Sequence, residues 1–526
     1  MTRLFLLVAI ALVGFMRIHL ALTRAFDPDE FAYLHWAWLV THGNQPYRDF
    51  FFYIMPGFAW LLSPILSLTG DSINFLIASR VFLFLIYGFC AALVYRLSRS
   101  PVAVLIFLTF PVTVDKTIDI RPDMVMLLLY FASIMVQNSL LSGILFGASF
   151  LMFPKILFGL PALLYLLFSR KRRVLPWVVG SLLVCLGFWG YLGINNLIPQ
   201  AITSITKDSL AVTGGKQGFS PLLLFTPYPL IYLTQGGVSL PWAVNTGVWI
   251  LGFVGLVILL KKRESIGIFW LLFIAGNVLF VILFPAPYVQ YFLPLSVAAS
   301  VLVGYAIGKS MRIITIIAVI TSISFFQQYR ERVVPGAQNT EQLQVIRDVL
   351  ALTQPDESIY DMVGSYVFRP DGFFICCHPY GEFVKNLTNP PSLLRESLIT
   401  TKTKFLIMDR IGFVFWQTPE PDKSFLHSNY LPTKYNKIYS LGQEFRCKNG
   451  ACTQYRLDNK PADNRSTNTF SGVITEKYPV TFEPQTASII IDGKEIQNGQ
   501  TLSLSLGAHR FSVSPKITTF RIQLTR

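Results

Sequence analysis

Three acidic residues stand together just beyond the first apolar run of the chain, in Asp27-Pro28-Asp29-Glu30. Carboxylates beside a hydrophobic segment are costly unless water, a helix end or a substrate occupies them. A carboxylate left open in such a place can take a proton from a reacting hydroxyl as a general base. Asp27, Asp29 and Glu30 are therefore all catalytic candidates.

Helix-capping rules separate the three acids. Asp27 suits the N-cap, Pro28 the first helical position, and Glu30 the third, from which its side chain reaches back as in a capping box. This structural role explains Asp27 and Glu30 better than catalysis does. Asp29 has no such need beyond a mild interaction with the helix dipole, so it is the first candidate for a base.

A second charged cluster lies further along the chain, where residues 115–123 carry five charges between two apolar runs. Asp123 directly follows Pro122, and an acid at the start of a helix is explained by the helix dipole. Asp115, Asp119 and Arg121 have no comparable explanation. We therefore keep these three as candidate site residues.

Lys155 follows Pro154 in the middle of a long apolar stretch, at residues 138–168. Because proline removes a backbone donor and disfavours helix before it, the chain should turn there, between two short crossings. Two interpretations of Lys155 are equally open. It is either a lysine that snorkels from a helix end or a recessed cation that holds a lipid phosphate.

Composition identifies the class of protein. Of the 526 residues, 52% are hydrophobic and only 14% charged, with a mean hydropathy of +0.50, which excludes an ordinary soluble domain. The net charge of +15 comes largely from basic clusters at the ends of apolar runs, which is the positive-inside pattern of membrane proteins. No nucleic-acid partner is predicted.

Arg17 and His19 interrupt the first apolar run, so we interpret it as a retained span and not as a signal peptide.

Eleven apolar runs are long enough, or nearly so, to cross a bilayer of about 30 Å. With the N-terminus cytoplasmic, the basic clusters fall inside and everything after Gln327 falls outside. We predict a multi-pass inner-membrane protein with a periplasmic or extracellular C-terminus. The predicted spans are 3–23, 75–96, 101–115, 123–138, 140–153, 156–169, 175–194, 242–260, 266–285, 291–308 and 311–328.

The outer segment 24–74 carries helices of its own. Phe31, Leu34, Trp38 and Leu39 recur at helical spacing, which predicts an amphipathic helix lying in the membrane interface. The apolar stretch 58–68 is shorter than the roughly 17 residues of a crossing. We interpret it as a second juxtamembrane helix.

Beyond residue 330 the composition changes. Residues 331–465 mix helical and strand patterns and predict an extracytoplasmic α/β domain, whereas 466–526 predict a small all-β module with a hairpin turn at Asp492-Gly493.

Cys447 and Cys452 flank an Asn-Gly turn and predict a disulfide. His378 beside Cys376-Cys377 is only a weak zinc signal. The glycine-rich segment 195–241 fits either a flap over an outer site or a plain loop.

The order of several short motifs resembles the GT-C class of membrane glycosyltransferases. The resemblance is closest to the branch that includes protein O-mannosyltransferases and lipid A aminoarabinose transferases, and it covers about residues 1–330. The motifs that carry it are Asp29-Glu30-Phe31-Ala32-Tyr33, Pro46-Tyr47-Arg48-Asp49-Phe50, Pro56-Gly57, Arg80, the acidic second outer loop (residues 115–123) and Lys155.

The resemblance implies transfer of a sugar from a polyprenyl-phosphate donor to a lipid, glycan or protein acceptor at the outer face of the membrane. It implies that Asp29 is the catalytic base, and attack assisted by one base predicts inversion at the anomeric carbon. Cations must stabilise the departing phosphate. The first candidates are Lys155 and Arg121, and Arg48 is the next. The candidates for contact with acceptor or substrate are Asp119, Asp115, Tyr33 and Tyr291. No cofactor is predicted, and no residue pattern indicates a divalent cation.

Two other classes stay open on the sequence. One is a transporter or flippase of lipid-linked sugars, which would carry polar residues on broken helices near the bilayer midplane. The other keeps the fold but acts as an oligosaccharide ligase or polymerase, or as a non-catalytic subunit that binds glycans. The acids of this chain cluster in outer loops, which favours the enzyme.

Overall fold

The structure is a computed structural model, and it describes residues 2–209, 240–284, 289–308, 310–361, 363–375, 377, 393–408, 418, 420–457, 459–462 and 467–524. The chain divides into two compact units. Unit 1 comprises Met1–Arg48 and Phe52–Thr340, and unit 2 comprises Asp49–Phe51 and Glu341–Arg526.

Unit 1 is built from apolar helices, as its composition requires. The α-helices described in it are α1 Thr2–Thr23, α2 Pro28–Thr41, α3 Gly57–Thr69, α4 Ile73–Ser98, α5 Pro101–Thr109, α6 Pro122–Met135, α7 Ser139–Met152, α8 Leu160–Ser169, α9 Val174–Ile194, α10 Ile198–Ile202, α11 Leu240–Lys261, α12 Ser265–Leu283, α13 Leu293–Ile307 and α14 Met311–Arg332. Each of the eleven predicted spans overlaps one of these helices. Seven helical segments of the described residues are long and apolar enough to cross a membrane. The predicted class, a polytopic helical membrane protein, is confirmed.

Proline sets two of the helix ends. α7 ends at Met152, a 3₁₀ turn covers Pro154–Gly159, and α8 begins at Leu160, so the predicted turn at Pro154 is confirmed. The predicted span 101–115 is too long, because α5 ends at Thr109 and a 3₁₀ turn covers Pro111–Thr113. Pro111 lacks a backbone donor and disfavours helix at the residue before it.

The outer segment forms the two predicted helices, but α2 differs from its predicted environment. Every residue from Glu30 to Leu39 is buried, so the helix has no exposed polar face and the predicted amphipathic pattern is wrong. Its place at the membrane interface stays a prediction. Aromatic rings surround it: Phe52 contacts Trp36 at 4.9 Å between ring centroids, and Phe58 contacts Tyr33 at 5.2 Å. α3 has 13 residues and is about 20 Å long at 1.5 Å per residue, which is short for a crossing.

Small residues allow membrane helices to approach closely. A Cβ at Gly255 of α11 would overlap the carbonyl oxygen of Leu302 on α13, and one at Gly252 would lie 3.4 Å from the Cα of Ala299. Because both contacts advance in the same chain direction, α11 and α13 run parallel. Their C-terminal ends therefore lie at the same end of unit 1.

Unit 2 combines helices with two β-sheets. Its described helices are α15 Thr340–Leu352, α16 Leu394–Thr400 and α17 Asp422–Asn429, of which α15 begins one residue before the unit does. Its described strands are β1 Ile359–Tyr360, β2 Phe405–Ile407, β3 Tyr430–Pro432, β4 Ile438–Lys448, β5 Ala451–Tyr455, β6 Thr469–Gly472, β7 Glu476–Glu483, β8 Ser488–Ile491, β9 Lys494–Gln497, β10 Thr501–Leu504, β11 Gly507–Val513 and β12 Thr519–Gln523.

The larger sheet of unit 2 has eight strands in the order β1-β2-β4-β12-β7-β10, with β3 and β5 also paired to β4. β1 and β2 are parallel, and β12 pairs antiparallel with both β4 and β7. The segments 331–465 and 466–526 thus contribute strands to one hydrogen-bonded sheet. A second sheet has the order β6-β11-β8-β9. Phe445, Phe511 and Phe520 pack together between strands, with ring centroids 4.6 to 5.2 Å apart.

Two predicted turns of unit 2 are confirmed. Cys447 and Cys452 face each other across β4 and β5 and form a disulfide, and the turn between them places Asn449 and Gly450 at positive φ, as a type I′ hairpin requires. Asp492-Gly493 joins the antiparallel strands β8 and β9. His378 and most of the glycine-rich segment 195–241 lie outside the described residues, so the predictions made on them stay predictions.

Candidate active site

The N-terminus of α2 holds the predicted capping box. Oδ1 of Asp27 accepts a hydrogen bond of 3.1 Å from the backbone N–H of Asp29, and Oε2 of Glu30 accepts one of 2.8 Å from the N–H of Asp27. The second carboxylate oxygen of Asp27 accepts from Nζ of Lys116 at 2.9 Å. Burial raises the pKa of Asp27, but Lys116 and Arg121 outweigh it and hold that pKa below its usual range. Asp27 is therefore an ionised carboxylate whose two oxygens both accept structural hydrogen bonds.

Glu30 is the most deeply engaged of the three acids, with a fully buried side chain. Nε and Nη2 of Arg80 on α4 donate to its two oxygens at 2.9 and 2.7 Å, and the backbone N–H of Ile120 donates at 3.0 Å. Arg80 also donates to the carbonyls of Ala21, Arg24 and Ala25. Glu30 thus ties α1, α2, α4 and the second outer loop together, which leaves it no oxygen for a substrate.

Asp29 differs from both neighbours in its exposure. Its side chain is 49% exposed, compared with 27% for Asp27 and 0% for Glu30. Oδ2 pairs with Nη1 of Arg121. Oδ1 accepts no hydrogen bond from any residue that the structure describes. Asp29 therefore offers one open carboxylate oxygen, held in place through the other.

A line of alternating charges leads inward from Asp29. Arg121, which pairs with Asp29, also places its Nε 3.3 Å from Oδ2 of Asp123, and Oδ1 of Asp123 accepts from Nζ of Lys155. Lys155 further donates to the carbonyl of Gln290 at 3.1 Å. These contacts bring Asp29, Arg121 and Lys155, which the sequence predicts as site residues from three separate segments, into one connected cluster.

Asp123 is the member of this line that sequence reasoning missed. Its place after Pro122 at the start of α6 satisfies the helix-dipole explanation, which hid its second role as the bridge between Arg121 and Lys155. A buried lysine needs a carboxylate partner. The place of Lys155 within an apolar stretch was therefore the signal that could have identified Asp123 as its partner.

Lys155 is not a snorkelling lysine, because its side chain is only 1% exposed and paired with Asp123. Its ammonium lies 5.1 Å from the ring centroid of Phe153 and 5.8 Å from that of Tyr291. The predicted substrate residue Tyr291 is itself buried and packs against Phe280. The alternative of a recessed cation is the one that this environment matches.

The remaining acids of the second outer loop have structural partners. Asp115 pairs with Arg332 at the end of α14, through bonds of 2.6 and 2.7 Å. Burial raises the pKa of Asp115, but Arg332 and Arg24 hold it below its usual range. Buried Asp119 pairs with Arg24 and lies 3.0 Å from Nζ of Lys116. Burial outweighs these cations and raises the pKa of Asp119 to about 6. A role of either acid in acceptor binding stays a prediction.

Tyr33 and Arg48, the last two predicted site residues, lie in different settings. Tyr33 is buried one turn after Asp29 on α2, and the guanidinium of Arg121 lies 5.9 Å from its ring centroid. Arg48 is exposed in the turn that follows Gln45. Among the described residues, no three His, Cys, Asp or Glu side chains come together to hold a metal ion.

Comparison with solved structures finds proteins of similar fold. The structure of ArnT from Cupriavidus metallidurans bound to undecaprenyl phosphate matches with a TM-score of 0.53 over 70% of this chain and 85% of that chain, at 10% sequence identity. The fold is similar to that of ArnT. The apo structure of the same ArnT matches with a TM-score of 0.50, also at 10% identity and with the same coverage.

The likeness to ArnT, an aminoarabinose transferase, confirms the GT-C-like fold that the sequence resemblance predicts. The apo oligosaccharyltransferase of Archaeoglobus fulgidus also matches, at 11% identity over 99% of this chain and 97% of that chain, with a TM-score of 0.47. No family model and no curated protein matches the chain.

Proposed function

We propose that this protein is a glycosyltransferase that moves a sugar from a polyprenyl-phosphate carrier to a lipid, glycan or protein acceptor. The observation that carries the proposal is the open carboxylate of Asp29 at the head of the Asp29-Arg121-Asp123-Lys155 line. A base next to buried cations is what transfer from a lipid phosphate requires. ArnT, which has a similar fold, binds undecaprenyl phosphate.

In the proposed reaction Asp29 is the general base. An acceptor hydroxyl gives its proton to the carboxylate, most simply to the open Oδ1, while its oxygen forms a bond to the anomeric carbon of the donor. The bond from that carbon to the phosphate oxygen breaks, and the phosphate leaves with the electron pair. One in-line displacement inverts the configuration of the anomeric carbon.

The departing phosphate needs positive charge, and Arg121 and Lys155 are its proposed partners. Arg121 uses Nε and Nη1 for Asp123 and Asp29, and Nη2 has no hydrogen-bond partner among the described residues. A guanidinium can hold a carboxylate and a phosphate together because its five donors point in different directions. Arg121 would then place base and leaving group on either side of the reacting carbon.

The buried Lys155 would act through its charge and its remaining N–H donor. Asp123 pairs with both Lys155 and Arg121. A phosphate that binds these two cations would take over part of the charge neutralisation that Asp123 provides. We propose that Asp123 keeps the two cations in place before the donor arrives. Tyr33, Tyr291, Arg48, Asp115 and Asp119 complete the proposed surroundings of the substrates.

We further propose that the site opens on the outer side of the membrane, with the N-terminus cytoplasmic and unit 2 outside. The turns that join α4 to α5, α8 to α9 and α11 to α12 expose basic side chains at the end of the helices opposite the site. This supports the orientation through the positive-inside rule. The acceptor and the donor would then meet at the outer surface.

The test is sugar transfer by purified protein from a panel of polyprenyl-phosphate sugars to mixed acceptors. Asp29→Asn should lower transfer by about 10² to 10⁴, the usual contribution of a general base, with an unchanged unfolding temperature. Asp27→Asn is the matched control, since it removes a neighbouring charge and keeps a capping oxygen. Retained transfer in Asp29→Asn would refute the base assignment. Movement of labelled lipid between leaflets of sealed vesicles without any new glycosidic bond would refute the proposal that the protein is a glycosyltransferase.

A further inference from the structure

Three turns between helices of unit 1 expose basic side chains. The turns join α4 to α5, α8 to α9 and α11 to α12. Their exposed cations are Arg99, Arg170, Lys171, Arg173, Lys262 and Arg263.

These turns lie at one end of the helix bundle. The hydroxyl of Tyr305, near the end of α13, donates to the carbonyl of Leu97 near the end of α4 at 2.9 Å. α11 runs parallel to α13 and leads directly into α12, so its turn lies at the same end. α8 packs along α12, and Phe158, just before α8, contacts Phe280 near the far end of α12 at 5.2 Å. The two helices are therefore antiparallel, which brings the α8–α9 turn to the start of α12.

The six exposed cations of these turns lack the acidic partners that several cations have elsewhere in unit 1. Arg24, Lys116, Arg121, Lys155 and Arg332 all form ion pairs with acids of the outer loops. None of the six basic side chains in the three turns forms an ion pair with a residue that the structure describes. Glu264, the acid next to Arg263, is exposed and does not pair with it either. The positive charge of this end is thus left for an external anion.

The backbone of each turn adds a second observation. Arg99, Lys171 and Arg263 have φ values of 55°, 49° and 55°, the left-handed conformation that glycine adopts with least steric cost at helix ends. A basic side chain occupies this position in all three turns, although glycine would fit better. In the α8–α9 turn, Arg172 donates to the carbonyls of Ile134 and Val136 at the end of α6. Arg170 donates with Nη1 to the carbonyl of Ile134 at 3.5 Å, and Lys171 and Arg173 are exposed.

We propose that this basic end of unit 1 binds the headgroups of anionic phospholipids in the surrounding bilayer. Exposed cations beside membrane helices attract acidic headgroups, and each cation adds to the attraction. The ends of apolar helices place these side chains at the depth of the headgroups. The bound lipid would neutralise charge that unit 1 itself does not neutralise.

The experiment compares lipid retention by the purified full chain in native mass spectrometry, with phosphatidylglycerol and phosphatidylcholine supplied in equal amounts. Wild type should retain phosphatidylglycerol several-fold over phosphatidylcholine. Arg170→Gln/Lys171→Gln/Arg173→Gln should lose at least half of this preference. The matched control Lys477→Gln/Lys494→Gln/Lys516→Gln removes three exposed, unpaired cations from unit 2 and should keep the preference.

Two further measurements guard against a folding defect in the variant. Arg170→Lys/Lys171→Arg/Arg173→Lys keeps the charge and should bind as wild type does. In wild type, raising NaCl from 0.1 to 1 M shortens the screening length from about 10 to 3 Å and should abolish the preference. Equal retention of both lipids by wild type, a glutamine variant that keeps more than half of the preference, or a preference that survives in 1 M salt would overturn the proposal. Sugar transfer plays no part in these readouts. The lipid proposal can therefore fail or succeed independently of the proposed function.

Discussion

Arg80 on α4 and Glu30 on α2 form a buried ion pair in which two guanidinium nitrogens lie 2.9 and 2.7 Å from the carboxylate oxygens. Glu30 is at the same time the reaching residue of the α2 capping box. The pair fixes the start of α2 against α1 and α4, so Asp29, one residue earlier, is presented from a rigid support. The acid next to the proposed base is thus a structural residue and not a second base.

Glu30→Gln should destabilise unit 1 strongly. The substitution leaves the charge of Arg80 buried without a carboxylate, which costs about 3 to 5 kcal/mol in comparable pairs. The measurement is the thermal unfolding of purified protein in detergent. The double variant Glu30→Met/Arg80→Met removes both charges and should recover part of the loss. A single variant as stable as wild type would show that the pair does not support α2.

Asp27→Ala should cost about 1 kcal/mol of stability through the lost helix cap and leave sugar transfer within a few-fold of wild type. Asp27→Asn keeps an oxygen for the N–H of Asp29 and loses only the ion pair with Lys116. Unfolding and transfer assays on both variants separate the two contributions. If Asp27→Asn abolished transfer in a stable protein, Asp27 and not Asp29 would be the base.

Arg121→Lys should reduce kcat/KM for the donor by about 10- to 100-fold. One ammonium cannot reproduce the guanidinium contacts with both Asp29 and Asp123, and a lost hydrogen bond between charged groups is worth about 1.5 to 3 kcal/mol. Arg332→Lys is the matched control, because Arg332 likewise makes two hydrogen bonds to carboxylate oxygens, both of Asp115, outside the line. Comparable loss in both variants would assign the effect to loop structure and not to the site.

The β-sheet unit should gain stability from His509 at mildly acidic pH. Its ring nitrogens lie 2.6 Å from Oδ2 of Asp492 and 2.8 Å from the carbonyl of Ser505, so the doubly protonated ring donates to both. Burial lowers the pKa of His509, but these two acceptors outweigh it and raise the pKa above its usual value. The stabilisation is complete below a pH of about 6.5, the pKa of an unperturbed histidine, and is lost as the pH rises through the folded value.

Unfolding temperatures from pH 6 to 9 test this expectation. The difference between wild type and His509→Gln should be largest at pH 6 and shrink as the pH rises. Asp492→Asn should move that decline to lower pH, because it removes the carboxylate that favours the charged ring. A difference that does not vary with pH would show that folding leaves the pKa of His509 unchanged, which would contradict the expectation.

Much of the fold follows from local pattern. The helices of unit 1 come from long apolar runs, and the turns at Pro154, Asn449-Gly450 and Asp492-Gly493 come from residues with strong backbone preferences. Where local pattern failed, packing was the cause. The apolar spacing of α2 predicts one buried face, but every residue from Glu30 to Leu39 is buried, and aromatic side chains of the outer segment are among the groups that pack on the helix.

By itself, the sequence determined the membrane class and the capping box of α2, because composition and capping act within a few residues. The same capping argument is what made Asp29, and not its neighbours, the proposed base. Only the tertiary structure decided which cations meet which acids. Arg121 and Asp29 are 92 residues apart in the chain, and Lys155 and Asp123 are 32 apart. Burial in an apolar surround forces each such charge to find an opposite one, and the partner depends on how the helices pack.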